Sequence, residues 1–171
     1  MGHRHCGVEI ARSVIAQLPM TCPLRSDVED AAVVSSGIGL HLAIFVEPFL
    51  GAVIEGRKTI ESRFAKNRCA PYLCIGEGDI VFLKKSGGPV VGVAKVGIPQ
   101  FHALDDLKLT EIRDRHASEI CAEEDAFWDE RREKKYATLI PIESAIQFDP
   151  VDINKRDRRG WVTYRENHTL L

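Results

Sequence analysis

The spacing of hydrophobic and polar positions changes several times along the chain, and each change predicts an element. Helical spacing of apolar residues over positions 8–18 predicts a short helix that ends before Pro19. The run LHLAIFV is typical of a buried strand. Glu47 and Pro48 then begin a second helix, and Gly56 ends it.

Strand patterns dominate the rest of the chain. In TIESRF, alternation places Thr59, Glu61 and Arg63 on one face of a strand, with apolar residues mainly on the other. The segments DIVFLKK and VVGVAKV, joined by Ser-Gly-Gly-Pro, predict a β-hairpin. Two charged helices are predicted over residues 104–120 and 122–135, followed by strands in YATLIPIESAIQF and WVTYRE.

This order of elements predicts the α+β class. Strands outnumber helices and are mostly joined by hairpins, so a small curved sheet or barrel with helices packed at its ends is favoured over a doubly wound fold. The sequence has no GxGxxG opening a helix after a strand, no GxxxxGK[ST] loop, no HExxH and no GxSxG. Dinucleotide, P-loop, zincin and α/β-hydrolase chemistry are therefore not expected.

Composition sets the size of the core. The 171 residues, 44% hydrophobic and 28% charged, suit a single globular domain with an extension. We expect a partly helical N-terminal extension over residues 1–39, the main domain over 40–166 and a tail over 167–171. No apolar run reaches membrane-spanning length, and the N-terminal stretch lacks the pattern of a secretory signal, so a cytoplasmic protein is expected.

The cysteines and histidines do not predict a metal or cofactor. Five cysteines at irregular spacing do not form a disulfide framework or paired zinc-binding motifs, so we expect free thiols. His3, His5 and Cys6 have the right chemistry for a metal, but chain termini rarely hold ligands in fixed geometry.

Charge is unevenly distributed. The net charge of −2 and the pI near 6.3 exclude a protein that coats nucleic acid through bulk positive charge, so any such binding is local. Acidic residues crowd the region 105–133, and a basic cluster occupies 155–159. Basic residues are frequent in the middle of the chain: Arg57, Lys58, Arg63, Lys66, Arg68, Lys84, Lys85 and Lys95.

The segment 55–63, EGRKTIESR, contains the pattern GxKxxExR where a helix turns into a strand. It resembles the signature of the ASCH family, in the PUA-like group. The resemblance extends through EPFLGAVIEGRKTIESRF, Pro71, GEGDIVFLKKSGGPVVGVAKV and the tryptophan-led strand GWVTYRE, over residues 41–165. It implies a compact mixed β-barrel with a cleft between barrel and helix, and a protein that binds or acts on RNA. Carried onto this sequence, it places Gly56 at the turn and Lys58, Glu61 and Arg63 in the cleft.

The residue types are consistent with that site. Lys58 supplies a point charge for a phosphate or a base carbonyl, and Arg63 supplies a fork of donors. Glu61 accepts from a base amine or N–H. The alternative is that Glu61 and Arg63, two apart on one strand face, neutralise each other.

Two further segments are candidate ligand contacts. Lys84, Lys85 and Ser86 lie beside a Gly-Gly turn where backbone N–H groups can approach a phosphate, although an ordinary solvated hairpin tip explains them too. Trp161 follows the basic cluster 155–159 and is suited to stacking on a base, the alternative being a core residue.

Three functions are left open by the sequence. The favoured one is a module that binds RNA or a modified nucleoside or nucleotide in a basic cleft. The second is a hydrolase of the ribonuclease or acetylated-cytidine amidohydrolase type, with Lys58 and Glu61 as an acid/base pair. The amidohydrolases that the chain resembles pair the lysine with a threonine three positions later, where this chain has Glu61. The third is a protein-interaction domain that binds a basic partner through the acidic helices in 105–135.

Overall fold

The computed structural model describes residues 7–153 and 158–166. Within these ranges the helices are α1 (Gly7–Gln17), α2 (Arg25–Ala32), α3 (Phe49–Ile54), α4 (Asp106–Ile120) and α5 (Asp125–Asp129). The strands are β1 (Leu40–Phe45), β2 (Ile60–Ala65), β3 (Ile80–Lys85), β4 (Val90–Val96), β5 (Gln100–Ala103), β6 (Tyr136–Val151) and β7 (Trp161–Arg165).

The strands form one curled mixed sheet in the order β2-β6-β4-β3-β1-β7, with β5 also paired to β6. Strands β1 and β3 are parallel and the other pairs are antiparallel. The long β6 makes the curl: residues 136–141 pair with β2, whereas residues 142–151 pair with β4. A register shift at the Lys95–Val96 step accompanies this change of partner, as bulges commonly do where a strand bends. The predicted α+β class, with a small mixed barrel-like sheet, is therefore confirmed.

Strands β1 and β3 are buried on both faces, which explains their almost continuous apolar sequences. Leu42 and Phe82 face the core cluster formed with α1 and α2. Phe45 and Leu83 face a second cluster on the other side of the sheet, which includes Trp161. The N-terminal helices thus complete the main core, although the sequence predicted only the first of them.

A third core cluster joins the charged helical region to β2 and β6. Ile112 and Trp128 pack there with Ile60 and Leu139. The predicted helix over 104–120 is confirmed by α4. The second predicted helix, 122–135, is wrong in length, because α5 covers only Asp125–Asp129 and turns follow. The chain must leave the helix early since Tyr136 already pairs with Ala65 in the sheet.

A buried polar network ties β1 to β3 and β7. His41 and Asp79 are both 0% exposed, and His41 Nε2 lies 3.0 Å from an Asp79 carboxylate oxygen. The same carboxylate accepts backbone N–H bonds from Gly39 at 2.7 Å and Gly76 at 2.8 Å. A side chain at Gly39 would lie within 2.3 Å of the carboxylate, so only glycine permits this approach. On its other nitrogen, His41 accepts from the indole N–H of Trp161 at 3.4 Å.

Candidate functional site

A cleft of about 340 Å³ opens beside the predicted signature segment. It lies between the end of β1, the start of α3, strand β2 and the segment that follows α5. Its volume is near the lower end of the ~300–1,000 Å³ usual for small-molecule sites. The lining residues are Ile44, Phe45, Val46, Phe49, Lys58, Glu61, Ser62, Arg63, Phe64, Phe127, Glu130, Arg131 and Lys134.

The turn from α3 into β2 aims the signature residues at the cleft. Gly56 has a φ of +74°, a left-handed conformation that favours glycine. The backbone N–H groups of Arg57 and Lys58 both donate to the carbonyl of Ala52 at 2.9 Å, which closes the end of the helix. Gly56 is exposed and its predicted place at the turn is confirmed by this geometry.

Lys58 lies at the floor of the cleft and is 2% exposed. Its ammonium donates to the carbonyl of Ile120 at 2.7 Å, at the C-terminal end of α4. The partial negative charge of a helix C-terminus suits a cation there. The N–H of Thr59 donates to the Glu119 carbonyl at 3.0 Å, so the end of α4 is fixed against the start of β2. Helix α4, which sequence analysis left without a role in the cleft, therefore positions Lys58.

Glu61 is the anionic centre of the site and is 7% exposed. Its carboxylate lies 3.4 Å from the Lys58 ammonium and 2.7 Å from Arg63 Nε. Burial lowers the pKa of Lys58, and the charge of Glu61 opposes that shift. The predicted pairing of Glu61 with Arg63 is present, but it is one part of a three-residue cluster that also contains Lys58.

Arg63 holds strands together as well as lining the cleft. Its guanidinium donates to the carbonyls of Gly160 and Ile44, each at 3.1 Å, and so links β2 to β1 and the start of β7. It also lies over the rings of Phe45 and Trp161, 5.2 and 5.3 Å from their centres. Its Nε touches the Glu61 carboxylate but is not aligned for a hydrogen bond, and it has no other partner.

Arg131 and aromatic rings form the opposite wall. The Arg131 guanidinium lies 3.3 Å from the centre of the Phe127 ring, a cation–π contact, and also donates to the Phe127 carbonyl. Phe127 is 6.1 Å from Phe49 and 6.2 Å from Phe64, centre to centre. Burial lowers the pKa of Arg131. Its Nε is buried and has no hydrogen-bond partner.

Solved structures of an ASCH protein have a similar fold. A crystal structure of ASCH from Zymomonas mobilis superposes with a TM-score of 0.57 and 14% identity, over 71% of this chain and 85% of that one. A serine-to-alanine mutant of the same protein gives a TM-score of 0.58 and 14% identity, over 75% and 90% of the two chains. The chain has the ASCH fold. Comparison with protein-family models and with curated proteins gives no match.

Lys84, Lys85 and Ser86, which the sequence predicted as ligand contacts, do not line the cleft. The Lys84 ammonium donates to the carbonyls of Gly88 and Lys85 and so closes its own turn. Lys85 and Ser86 are exposed at the hairpin tip, and the Ser86 N–H donates to the carbonyl of Phe45 at 2.8 Å. This geometry corresponds to the alternative interpretation of a hairpin tip, and ligand binding there stays a prediction.

Trp161 is a core residue, 5% exposed, held by the hydrogen bond to His41 and covered by Arg63. Of the two interpretations of Trp161, a base-stacking residue or a core residue, the structure shows the second. Within the basic cluster 155–159, residues 155–157 lie outside the described residues, as do His3, His5 and Cys6. Among the described residues no group of three or more histidine, cysteine or acidic side chains is placed to hold a metal.

The acidic region is largely paired within itself. Glu111 contacts Lys108 and Arg115, and Asp125 contacts Arg113. Other pairs are His116 with Glu119 and Arg132 with Asp129. In the part of the chain that the structure describes, no helix is long and apolar enough to span a membrane.

Sequence reasoning missed the cleft wall supplied by α5 and the turns after it. Phe127, Glu130, Arg131 and Lys134 all line the cleft, yet they are remote from the signature in sequence. The mixed charges of this stretch are typical of a solvated helix, and only tertiary packing brings them to the site. The position of Phe49 near the cleft could be predicted in part, since Phe49 begins the helix directly before the signature.

Proposed function

We propose that the cleft binds a nucleotide, either free or at an unpaired position of RNA. The observation that carries this proposal is a buried lysine 3.4 Å from a buried glutamate, in an aromatic-walled cleft that Arg63 and Arg131 also line. Buried charges are costly, and clusters of them in a cleft are characteristic of functional sites. The ASCH fold supports the same ligand class through the family that the signature resembles.

The arrangement suggests how a nucleotide would be oriented. Lys58 and Glu61 form an adjacent donor and acceptor at the floor, which suits the edge of a base that carries a carbonyl and an amine. Phe49 and Phe127 offer ring faces or edges to a planar group. Arg131 and Lys134, with Arg63, provide positive charge for a phosphate.

The cleft has a limited positive charge. Four cationic side chains and two anionic ones line it, a net charge of +2. This charge is enough to neutralise one or two phosphates. The chain as a whole has a formal net charge of −2, so it adds no general attraction for a polyanion. A binder of this kind contacts few phosphates even on a long strand.

We therefore predict a shallow dependence of RNA binding on salt. Isothermal titration with a single-stranded RNA of mixed sequence, at several salt concentrations, should give a slope of roughly −0.7 to −1.4 in log K against log [salt], the value for one or two neutralised phosphates. The same titration with nucleosides and modified nucleosides compares the ligands directly. A slope of about −4 or steeper would indicate a coating mode, and an absence of heat with every ligand would reject the proposal.

Binding should also depend on pH through Lys58. Burial lowers the pKa of this ammonium, and the cationic form is the one that binds, so affinity should fall as pH rises through the lowered pKa, before an ordinary lysine would titrate. Glu61 raises the pKa of Lys58, so in Glu61→Gln the fall should begin at lower pH. Titrations between pH 6 and pH 10 on both proteins measure the midpoints. Identical midpoints would contradict the coupling.

A second candidate function is hydrolysis, favoured by the 3.4 Å contact between Lys58 and Glu61. The Glu61 carboxylate would take a proton from an attacking water, and the Lys58 ammonium would donate a proton to the leaving amine or oxygen. Incubation with acetylated cytidine and with RNA tests this reaction. Products formed by the wild type and absent with Glu61→Gln would establish it, and intact substrates would reject it.

A further inference from the structure

A second, smaller cavity adjoins the cleft on the other side of Arg63. Its volume is about 180 Å³, roughly half that of the cleft. Arg63 and Phe64 line both spaces, so the two cavities share a wall. Tyr72, Tyr136 and Trp161 also line this second cavity.

The second cavity is rich in aromatic surface. Tyr72 and Tyr136 are 4.9 Å apart, centre to centre, with their planes tilted by 58°. Both are partly exposed, which distinguishes them from the buried Trp161. The guanidinium of Arg68, an exposed residue, lies 5.4 Å from the centre of the Tyr136 ring. Tyrosine rings flanked by arginine are a surface on which unpaired bases stack.

Positive charge continues between the two cavities. Arg63 lines both cavities, and the guanidinium of Arg68 lies against the ring of Tyr136, which lines the second one. Thr138 lines the second cavity, and no acidic side chain is among the described residues that line it. This contrasts with the cleft, where Glu61 and Glu130 are present. The second cavity therefore suits a flat group attached to an anionic linkage.

We propose that the two cavities bind consecutive nucleotides of single-stranded RNA. The cleft takes one nucleotide, and the cavity lined by Tyr72 and Tyr136 takes the neighbouring base. The phosphate that joins them passes beside Arg63. This inference rests on the proposed function of the cleft and adds a minimum ligand length of two nucleotides. The second cavity is too small for the usual drug-sized ligand, whose sites begin near ~300 Å³, so a single base is the fitting occupant.

The test compares ligand lengths. Each of the four nucleoside 5′-monophosphates is titrated beside the dinucleotide of the same base that carries a 5′-phosphate. Stacking of one base on aromatic side chains strengthens binding by roughly 5- to 150-fold. We expect the dinucleotide to gain an affinity in that range over the mononucleotide with wild-type protein.

Variants assign the gain to the second cavity. Tyr136→Leu should remove most of the gain and leave mononucleotide affinity unchanged. Tyr164→Leu is the matched control, because Tyr164 lies on β7, where its side chain faces Gly7 of α1, and it lines neither cavity. Arg68→Ala, at an exposed residue, repeats the test if Tyr136→Leu does not fold. Its control is Arg57→Ala, an exposed arginine paired with Glu55.

The outcomes separate this inference from the function it rests on. Mononucleotide binding with no gain for the dinucleotide overturns the second site and leaves the cleft in place. Equal loss of mononucleotide and dinucleotide affinity in Tyr136→Leu also overturns it, because Tyr136 would then act through the structure of the cleft. Absence of binding by both ligands rejects the proposed function and this inference together.

Discussion

Replacement of Lys58 by methionine should reduce nucleotide affinity at least about 30-fold while changing the free energy of unfolding by no more than about 1 kcal/mol. The loss of affinity follows from removing the buried donor at the floor of the cleft. Loss of one member of a buried, hydrogen-bonded charge pair typically costs ~2–5 kcal/mol of binding.

The small effect on stability has a separate reason. Removing one partner of a buried ion pair usually destabilises by ~3–5 kcal/mol, because the other charge is left uncompensated. Here Glu61 keeps Arg63 at 2.7 Å. Burial lowers the pKa of Lys58, so below that lowered pKa the ammonium costs folding free energy, a cost that decreases as pH rises. An unbranched methionine fills a similar volume, and the Ile120 carbonyl loses about 1 kcal/mol of hydrogen bonding.

Lys66→Ala is the matched control for Lys58. Lys66 follows β2, its side chain is 61% exposed, and it pairs with Glu133 outside the cleft lining. Denaturant unfolding should give a free energy of unfolding close to that of wild type, and titration should give a nucleotide affinity close to that of wild type. If Lys58→Met unfolds at much lower denaturant concentration than wild type, Lys58 is a structural residue. If it binds as well as wild type, the cleft is not the site.

Replacement of Asp79 by alanine should lower the free energy of unfolding by about 3–5 kcal/mol. Asp79 is 0% exposed and its carboxylate accepts from His41, Gly39 and Gly76. Alanine leaves these buried donors without an acceptor. For a chain of this size the melting temperature should fall by roughly 6–20 °C.

Asp27→Ala is the control for Asp79, because it also removes an aspartate from an ion pair. Asp27 lies 2.8 Å from Lys95, and the two side chains are 30% and 31% exposed. Solvent weakens such a pair, so the expected loss is below about 1 kcal/mol. Thermal unfolding of the two variants measures the difference. Equal stability of Asp79→Ala and Asp27→Ala would show that the network does not stabilise the fold.

Local patterns in the sequence predicted the centre of the site. The Gly56 turn and the alternation along β2 act over a few residues, so they place Glu61 and Arg63 on one strand face without knowledge of the tertiary fold. The resemblance of GxKxxExR to the ASCH signature is what added Lys58 to the same cleft. The β3–β4 hairpin and the last two strands were predicted for the same reason. The α+β class followed from the order of these elements.

Features that depend on distant contacts were not predicted. Arg131 reaches the cleft because the turns after α5 pack over β2, and no local pattern encodes that. The double role of Arg63 depends on the carbonyls of Ile44 and Gly160, which are remote in sequence. The ammonium of Lys84 donates to the carbonyl of Gly88 in its own turn, and the charge of the residue alone does not predict that contact. Strand β5 is only four residues long and too short for a clear alternation.

The most direct test of the cleft is an NMR titration of the protein with the nucleotide that binds best in calorimetry. Backbone amide shifts should change for residues 44–46, 58–64 and 127–134, which line or border the cleft, and stay constant in α1 and α2, which pack on the other side of the sheet. Changes confined to the hairpin or to the acidic face of α4, with residues 58–64 unaffected, would contradict the assignment of the cleft as the nucleotide site.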